Sequence, residues 1–395
     1  MDITIYPKKL FGHINAIASK SHAHRLLICA AFSDAPTELI LGESNEDIQA
    51  TIQCLIALGA EISKTEAGYL VQPTTRIPNE ATLNCKESGS TLRFMLPVVG
   101  ALGVTTTFQT AGRLSQRPLS PLHEEMERMG CLITRPSPTT IRCQGKLRPG
   151  LYHMDGGVSS QFITGILFAC SLMHGESAVQ IHGKLESAPY VDLTWQVLNT
   201  FGITSGNLGI AKLKSPGSIV VEGDWSNAAF FLAANALGSK IDVTNLNPLS
   251  AQGDKICAQV FKDSHSPVQL DCSDIPDLVP ILSVYAAATN GGEFTGIKRL
   301  RLKESDRIAS TCAMLRAMGI HVTADNNKMT VLPGKIHGGI VDSCNDHRIA
   351  MAAAIAAIAA CSPVTIVGAE CVSKSYPTFW KDYKLLGGNY EQHLR

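Results

Sequence analysis

The apolar residues of this chain fall into two helical patterns that recur along its length. In the first, a helix with one apolar face ends at a glycine, and a short strand hairpin follows. DIQATIQCLIALG leads into AEISKTEAGYLV at Gly59, and LHEEMERMG into CLITRPSPTTIRC at Gly130. VLNTFG leads into ITS at Gly202, IASTCAMLRAMG into IHVTADNNKMTVL at Gly319, and WKDYKLLGG closes the series at Gly387. Ile48, Ile52, Leu55 and Ile56 stand at i, i+4, i+7 and i+8, one face of a helix. Ser44 and Asp47 read as a capping box ahead of it. Ser120 and Pro121, with Glu124 and Glu125 behind them, mark the start of the second copy. Each glycine supplies the left-handed residue that ends a helix. Polar turns such as Asp325-Asn326-Asn327 join the strands. The glycines are 71, 72, 117 and 68 residues apart. The long interval is expected to hold a degenerate copy, around QGDKICAQVFKDSHSPVQL, without its helix-ending glycine.

The second pattern is a helix apolar on nearly all sides, preceded by small polar residues. Its six copies are SKSHAHRLLICAAF, SGSTLRFMLPVVGAL, SSQFITGILFACSL, SNAAFFLAANAL, IPDLVPILSVYAAAT and NDHRIAMAAAIAAIAA. Helices of this kind are buried. Six buried helices with amphipathic helices and sheets outside them make an inside-out α/β arrangement rather than a doubly wound sheet. The simplest division is two domains of three copies.

The chemistry should sit where the buried helices begin. A helix N-terminus presents unpaired N–H groups and a positive partial charge, so it attracts anions. The serines there also serve as helix caps. Lys20, Arg93 and Arg348 are different, because a cation near a helix N-terminus opposes the dipole and calls for an anion in return. Further cations cluster at repeat junctions: Arg113 and Arg117 in GRLSQRP, Lys298, Arg299, Arg301, Lys303 and Arg307 in KRLRLKESDR, and Lys374 in VSKSYP. Glu304 lies among them, either as an acid/base group or as an ion-pair partner.

Composition sharpens this picture. The 395 residues carry 34 Lys+Arg and 34 Asp+Glu, so no global field draws nucleic acid or an anionic membrane, and anion recognition must be local. With 45% hydrophobic and 17% charged residues the chain can fill large cores. MDITIYPKKLF lacks the apolar core of a signal peptide. The 12 cysteines include no Cys-x-x-Cys pair and read as reduced, mostly buried thiols of a cytoplasmic protein. The uncharged run Ile349 to Gly368 is interrupted at Pro363, leaving about 14 helical residues where a membrane span needs roughly 20. Walker, GxGxxG and HExxH motifs are missing. His22 and His24 are two apart on a helix, so their rings face different ways and no metal site is expected. The residues alone thus describe a metal-free enzyme or binder of small anions, with its site between two domains.

At SKSHAHR, ESGSTLR, QRP, SSQ, KESDR, NDHRIAM and SKSYP, in this order from Lys20 to Lys374, the chain resembles the 5-enolpyruvylshikimate-3-phosphate synthase family. The resemblance implies two domains of three βαβαββ units each, an inside-out α/β barrel with buried central helices. One domain would be 19–222 and the other 1–18 joined to 223–395, with the active site in the interdomain cleft. It implies transfer of the enolpyruvyl group of phosphoenolpyruvate to the 5-hydroxyl of shikimate 3-phosphate through a tetrahedral ketal, without cofactor or metal, in a cytoplasmic monomer.

By the same resemblance, Lys20 touches both substrates, while Ser21 and Arg25 bind the shikimate carboxylate. Ser159, Ser160 and Ser187 hold its phosphate, with Tyr190 nearby and Asp277 and Arg299 on the shikimate side. Gly89 lets the backbone approach the phosphoenolpyruvate phosphate. Arg117 and Gln161 reach phosphoenolpyruvate, Gln161 also facing the shikimate. Arg307 and Arg348 grip the phosphoenolpyruvate carboxylate, Lys374 its phosphate, and Lys303 bridges both substrates. Asp277 and Glu304, with Lys20 as a proton shuttle, are the expected acid/base groups, and Arg93 supports the site.

Glu87 and Arg299 stand where many members of that family carry asparagine, so the fine contacts of both substrates do not carry over from the resemblance at these positions. Rival readings are the sister UDP-N-acetylglucosamine enolpyruvyl transferases and a non-catalytic anion binder of the same fold. The loop 110–118 lacks the cysteine usual in the sister family, and KESDR favours the shikimate branch. With cations lining the expected cleft, the empty protein should favour an open form that anionic substrates close.

Overall fold

A computed structural model describes residues 1–263 and 265–393. The chain opens with β1 (Asp2–Tyr6) and β2 (Phe11–Asn15). A first copy follows: α1 (Lys20–Ala31), β3 (Thr37–Ile40), α2 (Glu46–Ala57), β4 (Glu61–Lys64) and β5 (Gly68–Gln72). The second holds β6 (Glu80–Lys86), α3 (Gly89–Leu102), β7 (Thr105–Thr110), α4 (Leu122–Arg128), β8 (Cys131–Ser137) and β9 (Thr140–Gly145). The third is shorter: β10 (Leu151–Asp155), α5 (Ser160–Leu172), β11 (Ala178–His182) and α6 (Ala188–Thr200), with β12 (Ser218–Val220) after it. The fourth has α7 (Trp225–Ala236), β13 (Lys240–Thr244) and the single turn α8 (Cys257–Val260). The fifth runs β14 (Val268–Asp271), α9 (Val279–Ala288), β15 (Gly292–Thr295), α10 (Arg307–Ala317), β16 (Val322–Ala324) and β17 (Lys328–Val331). The sixth is β18 (Gly339–Asp342), α11 (His347–Ala357), β19 (Val364–Val367), α12 (Phe379–Leu385) and β20 (Asn389–His393).

Sheet pairing shows the common plan. In the order β6-β7-β9-β8, the first pair is parallel and the next two are antiparallel. The orders β14-β15-β17-β16 and β12-β3-β5-β4 repeat it. In β18-β19-β1-β20 the N-terminal strand supplies the third position. The parallel pairs β10-β11 and β13-β2 are the two reduced copies. A parallel pair needs a crossover, and in β6-β7, β10-β11, β14-β15 and β18-β19 the buried helices α3, α5, α9 and α11 provide it.

The chain divides into two compact units, Ala18–Glu222 and Met1–Ile17 with Gly223–Arg395. Each contains two four-stranded sheets, one two-stranded sheet and its own apolar core. The six apolar helices, α1, α3, α5, α7, α9 and α11, are buried on nearly every side. Every residue of α11 is buried, and it ends at Ala357. No described helix is long and apolar enough to cross a membrane. Ten of the twelve cysteines are buried, Cys344 and Cys361 being the exposed ones.

The five glycines expected at helix ends all have positive φ, between +81° at Gly319 and +117° at Gly130. Two local expectations are corrected. Asn45, not Ser44, caps α2, its side chain accepting from the Ile48 N–H. Asp47 is drawn away from any capping role by Lys20, 2.9 Å from its carboxylate, and Ser44 pairs with the Tyr69 hydroxyl instead. On the same helix Ile56 is 39% exposed. The buried stripe runs Ile48, Thr51, Ile52 and Leu55, because Thr51 faces a hydroxyl of α3.

Candidate active site

In the unit Ala18–Glu222, Arg25 ties together the first turns of three buried or half-buried helices. Its Nε donates to Thr194 Oγ1 of α6 at 2.9 Å. One Nη2 hydrogen reaches the Tyr190 carbonyl at 2.8 Å and the other Thr164 Oγ1 of α5 at 3.3 Å. Nη1 donates to the Ser21 carbonyl on its own helix. Thr164 and Thr194 are themselves 2.8 Å apart, which locks α5 against α6. The guanidinium lies 5.1 Å from the Phe94 ring centre. Arg25 is 2% exposed, and all its acceptors are neutral, with no carboxylate among the described residues. Burial lowers its pKa to about 9. A buried cation without a counter-ion, with an Nη1 hydrogen to spare, is a receptor for an anion.

The starts of α5 and α6 complete this set. Ser159 stands at the N-cap of α5 in an extended conformation without capping it, and Ser160 follows as the first helical residue. Ser160 is 6% exposed, and neither hydroxyl makes a hydrogen bond to the described residues. Ser187 precedes α6 at φ +57° and does not cap it. This left-handed position is uncommon for a residue other than glycine.

Cations also gather at the start of α3. A Cβ on Gly89 would lie 2.7 Å from Nη1 of Arg93 and 2.7 Å from Nη1 of Arg117. Two guanidinium groups therefore converge on the first backbone N–H groups of a helix. Arg93 donates to Gln161 Oε1 at 3.1 Å and lies over Phe162, while Gln161 Nε2 holds Ser90 Oγ at 2.9 Å. Lys20, at the start of α1, holds Asp47.

In the other unit the density of charge is higher. Asp277, in the turn before α9, receives Lys303 at 3.2 Å, Arg307 at 2.8 Å and Arg348 at 3.1 Å. Arg307 also pairs with Glu304 and, through Nε at 2.9 Å, with Asp346. Arg307 and Asp346 are both fully buried. Burial works against the Arg307 charge, and Asp346, Glu304 and Asp277 outweigh it, so the guanidinium stays above its ordinary pKa. Burial also opposes ionisation of Asp346, yet Arg307 beside it holds the carboxyl below its usual value. Arg348 crosses to Ser226 Oγ of α7 at 2.9 Å, so it ties α7, α9 and α11 as Arg25 ties α1, α5 and α6. Lys374 reaches the Asn345 carbonyl beside the start of α11, and Arg299 the Ser273 carbonyl.

Several anchors were not singled out from sequence. Asp346 caps α11, accepts from the Ser305 hydroxyl and clamps Arg307. Its signal was present, an acid just before a basic helix start in NDHR. Thr164 and Thr194 were visible only as lone hydroxyls in apolar helices, and Asp47 was read as a cap. Among the described residues no group of three or more His, Cys, Asp or Glu could hold a metal ion.

One unit thus holds buried arginines near helix starts, and the other holds carboxylates set among cations, a set of groups suited to small polyanions and to proton transfer. Comparison with known proteins narrows the class. The family described as EPSP synthase (3-phosphoshikimate 1-carboxyvinyltransferase) matches residues 5–383, and the chain belongs to that family. A 3-phosphoshikimate 1-carboxyvinyltransferase of Clostridium kluyveri is 36% identical over 99% of this chain and 98% of its own length. That of Clostridium acetobutylicum is also 36% identical, with the same coverage. An EPSP synthase structure from Acinetobacter baumannii superposes with TM-score 0.80 at 25% identity, covering 99% of this chain and all of that one. The enolpyruvyl transferase NikO from Streptomyces tendae shares the fold, with TM-score 0.74 at 16% identity over 99% of this chain and 98% of its own.

Proposed function

We propose that this chain transfers the enolpyruvyl group of phosphoenolpyruvate to the 5-hydroxyl of shikimate 3-phosphate, releasing phosphate. The observation that carries the reading is Arg25, a buried guanidinium held only by neutral acceptors on α1, α5 and α6. Shikimate 3-phosphate has the matching groups, a carboxylate for Arg25 and Ser21 and a phosphate for Ser159, Ser160 and Ser187, with Tyr190 and Gln161 alongside. The phosphoenolpyruvate phosphate belongs to Gly89, Arg117, Gln161 and Lys374, and its carboxylate to Arg307 and Arg348.

The chemistry asks for proton movements in two steps. In the addition carbon 3 of the enol gains a proton while the hydroxyl oxygen loses its own and attacks carbon 2; in the elimination the resulting ketal loses phosphate from carbon 2 and a proton from carbon 3, which restores the double bond. Glu304 handles the carbon-3 proton in this assignment, Asp277 takes the hydroxyl proton, and Lys20 shuttles. Lys303, Arg307 and Arg348 stand within 3.2 Å of Asp277, so the incoming carboxylate meets cations already in place. Arg299, which donates to the Ser273 carbonyl at 2.7 Å, is assigned to the shikimate in this reading.

The test is phosphate release from purified protein supplied with phosphoenolpyruvate, comparing shikimate 3-phosphate with UDP-N-acetylglucosamine. Release with the shikimate alone is expected. Release with the sugar nucleotide alone would move the chain to the sister reaction. Release with neither, with binding intact, would make it a binder. Glu304→Gln retaining ordinary turnover and solvent-proton exchange into the product would overturn the assignment of Glu304.

A further inference from the structure

Beneath Lys20 and Gly89 runs a chain of hydrogen bonds through the interior. His24 Nδ1 lies 2.7 Å from Thr51 Oγ1, Thr51 Oγ1 lies 2.7 Å from Thr91 Oγ1, and Thr91 Oγ1 donates to Ser88 Oγ at 2.7 Å. The four residues are at most 1% exposed. They belong to the three helices α1, α2 and α3 and to the N-cap of α3.

The direction of the chain is fixed by counting hydrogens. Each hydroxyl has one. Thr91 uses its hydrogen on Ser88, so Thr51 must donate to Thr91, and His24 must donate from Nδ1 to Thr51. Burial first, with Lys20 and Arg25 nearby, holds the imidazole well below its ordinary pKa, so it stays neutral with its proton on Nδ1. Its Nε2 then has no hydrogen-bond partner among the described residues. An apolar side chain would avoid that orphaned atom, whose burial is costly. What the imidazole brings is the Nδ1–H at the head of the chain.

The placement is what makes this chain matter. Lys20 and His24 are one turn apart on α1, and Asp47 and Thr51 one turn apart on α2. The two helices are thus joined by two rungs, each between residues 27 apart in sequence: Lys20 to Asp47, part exposed, and His24 to Thr51, fully buried. The outer rung is a flexible lysine. The inner one is short and rigid, and through Thr91 and Ser88 it extends to the start of α3, where Gly89, Arg93 and Arg117 meet.

We propose that His24 and Thr51 are positioning residues that fix the spacing between Lys20 and the anion site at Gly89, and so hold the phosphoenolpyruvate end of the reaction in register. The proposal rests on the assignment of Lys20 and Gly89 to phosphoenolpyruvate made above. A displacement of about 1 Å at such a site lowers rates by about a hundredfold.

The test uses the full chain and both substrates, with Thr51→Val, Thr51→Ser, His24→Leu and His24→Asn. Thr51→Val keeps the shape and removes the hydroxyl, whereas Thr51→Ser restores it. His24→Asn keeps an N–H donor near the Nδ1 position, and His24→Leu does not. Thr51→Val and His24→Leu are expected to raise the KM for phosphoenolpyruvate and lower kcat/KM by about 10–100-fold. The Kd for shikimate 3-phosphate should stay within about threefold, and Thr51→Ser and His24→Asn should recover most of the loss. Folded Thr51→Val with both constants within twofold of wild type would overturn the proposal. So would an equal loss towards both substrates that tracks a fall in Tm and is not rescued by serine, which marks a purely structural bond. Lys20→Ala, run alongside, separates the two layers. If it leaves phosphoenolpyruvate KM and kcat untouched, the site assignment fails and the positioning role falls with it. If it is impaired while Thr51→Val is not, only the positioning role fails.

Discussion

Replacing Arg25 by methionine should separate receptor from strut. Burial lowers the pKa of this guanidinium well below its ordinary value, to about 9. A drop of that size corresponds to about 5 kcal/mol spent keeping the charge inside the empty protein. Methionine removes that cost. It also removes four hydrogen bonds to neutral acceptors and shortens the side chain, together about 3–5 kcal/mol. The acceptors left behind are not stranded, because Thr164 and Thr194 still pair and Thr194 still donates to the Tyr190 carbonyl. The stability of the empty Arg25→Met protein should therefore stay within about 2 kcal/mol of wild type, a Tm change of at most about 8 °C. Shikimate 3-phosphate should bind at least about 100-fold more weakly, since its carboxylate would be buried against a methyl group. Thermal melts with and without shikimate 3-phosphate, and calorimetric titration, read both quantities. The pH dependence has a definite sign. The guanidinium's penalty is fully present below about pH 9 and fades as pH rises above it, so the difference between the two proteins should be flat from pH 6 to 8 and move in favour of wild type above 9. A loss of several kcal/mol in the empty protein, with shikimate 3-phosphate affinity within tenfold, would make Arg25 a strut and refute the reasoning.

Other perturbations probe the remaining groups. Asp277→Asn should lower kcat by about 10²–10⁴-fold, the usual share of a general base, with a smaller change in phosphoenolpyruvate KM; steady-state rates with saturating shikimate 3-phosphate check this. Asp346→Ala leaves the buried Arg307 without its clamp and should cost about 3–5 kcal/mol in urea unfolding. Since Arg307 depresses the Asp346 pKa, the stability this carboxylate provides is present above its ordinary value of 3.8 and lost as pH falls through its lower folded value. Wild type and the variant should accordingly converge in acid melts below about pH 4. Gly89→Ala puts a methyl group 2.7 Å from two guanidinium nitrogens and should raise phosphoenolpyruvate KM about 10–100-fold while leaving shikimate 3-phosphate affinity unchanged.

The repeat plan was legible because each copy carries signals on short stretches of chain. The glycines at 59, 130, 202, 319 and 387 must take positive φ to end their helices, and the six apolar segments cannot be exposed. Misreadings arose where a side chain answers a partner distant in sequence. Asp47 looks like a capping acid locally, yet Lys20, 27 residues earlier, claims it. Ile56 fits the helical period, yet the position facing α3 belongs to Thr51. For the site, cations near helix starts could be found by the rule that they oppose the dipole, which singled out Lys20 and Arg348. That rule is silent about Arg25, which lies a full turn into α1, and about Asp346, which reads as an ordinary cap. Their significance lies in burial and in contacts 39 to 169 residues away, as for Arg307 with Asp346 and Arg25 with Thr194.

The two arginine-centred clusters differ in a way that divides the labour of the reaction. Arg25 and Arg348 each bind three helices of their own unit near the helix starts, but Arg25 is surrounded by hydroxyls and carbonyls and Arg348 by a carboxylate. Neutral acceptors fix a cation without competing for its charge, so Arg25 keeps its full attraction for an anion and suits binding. Asp277, by contrast, is paired with Lys303, Arg307 and Arg348, and Glu304 with Arg307, so an anion arriving there displaces existing pairs. Such a site gains less from raw attraction. What it offers is two carboxylates held within contact of the cations that would grip the reacting substrate, which is where proton transfer needs them. Binding strength for shikimate 3-phosphate should thus depend mostly on Ala18–Glu222, and turnover mostly on the carboxylates of the other unit. Charge-removing substitutions in the two sets should separate into losses of Kd and losses of kcat.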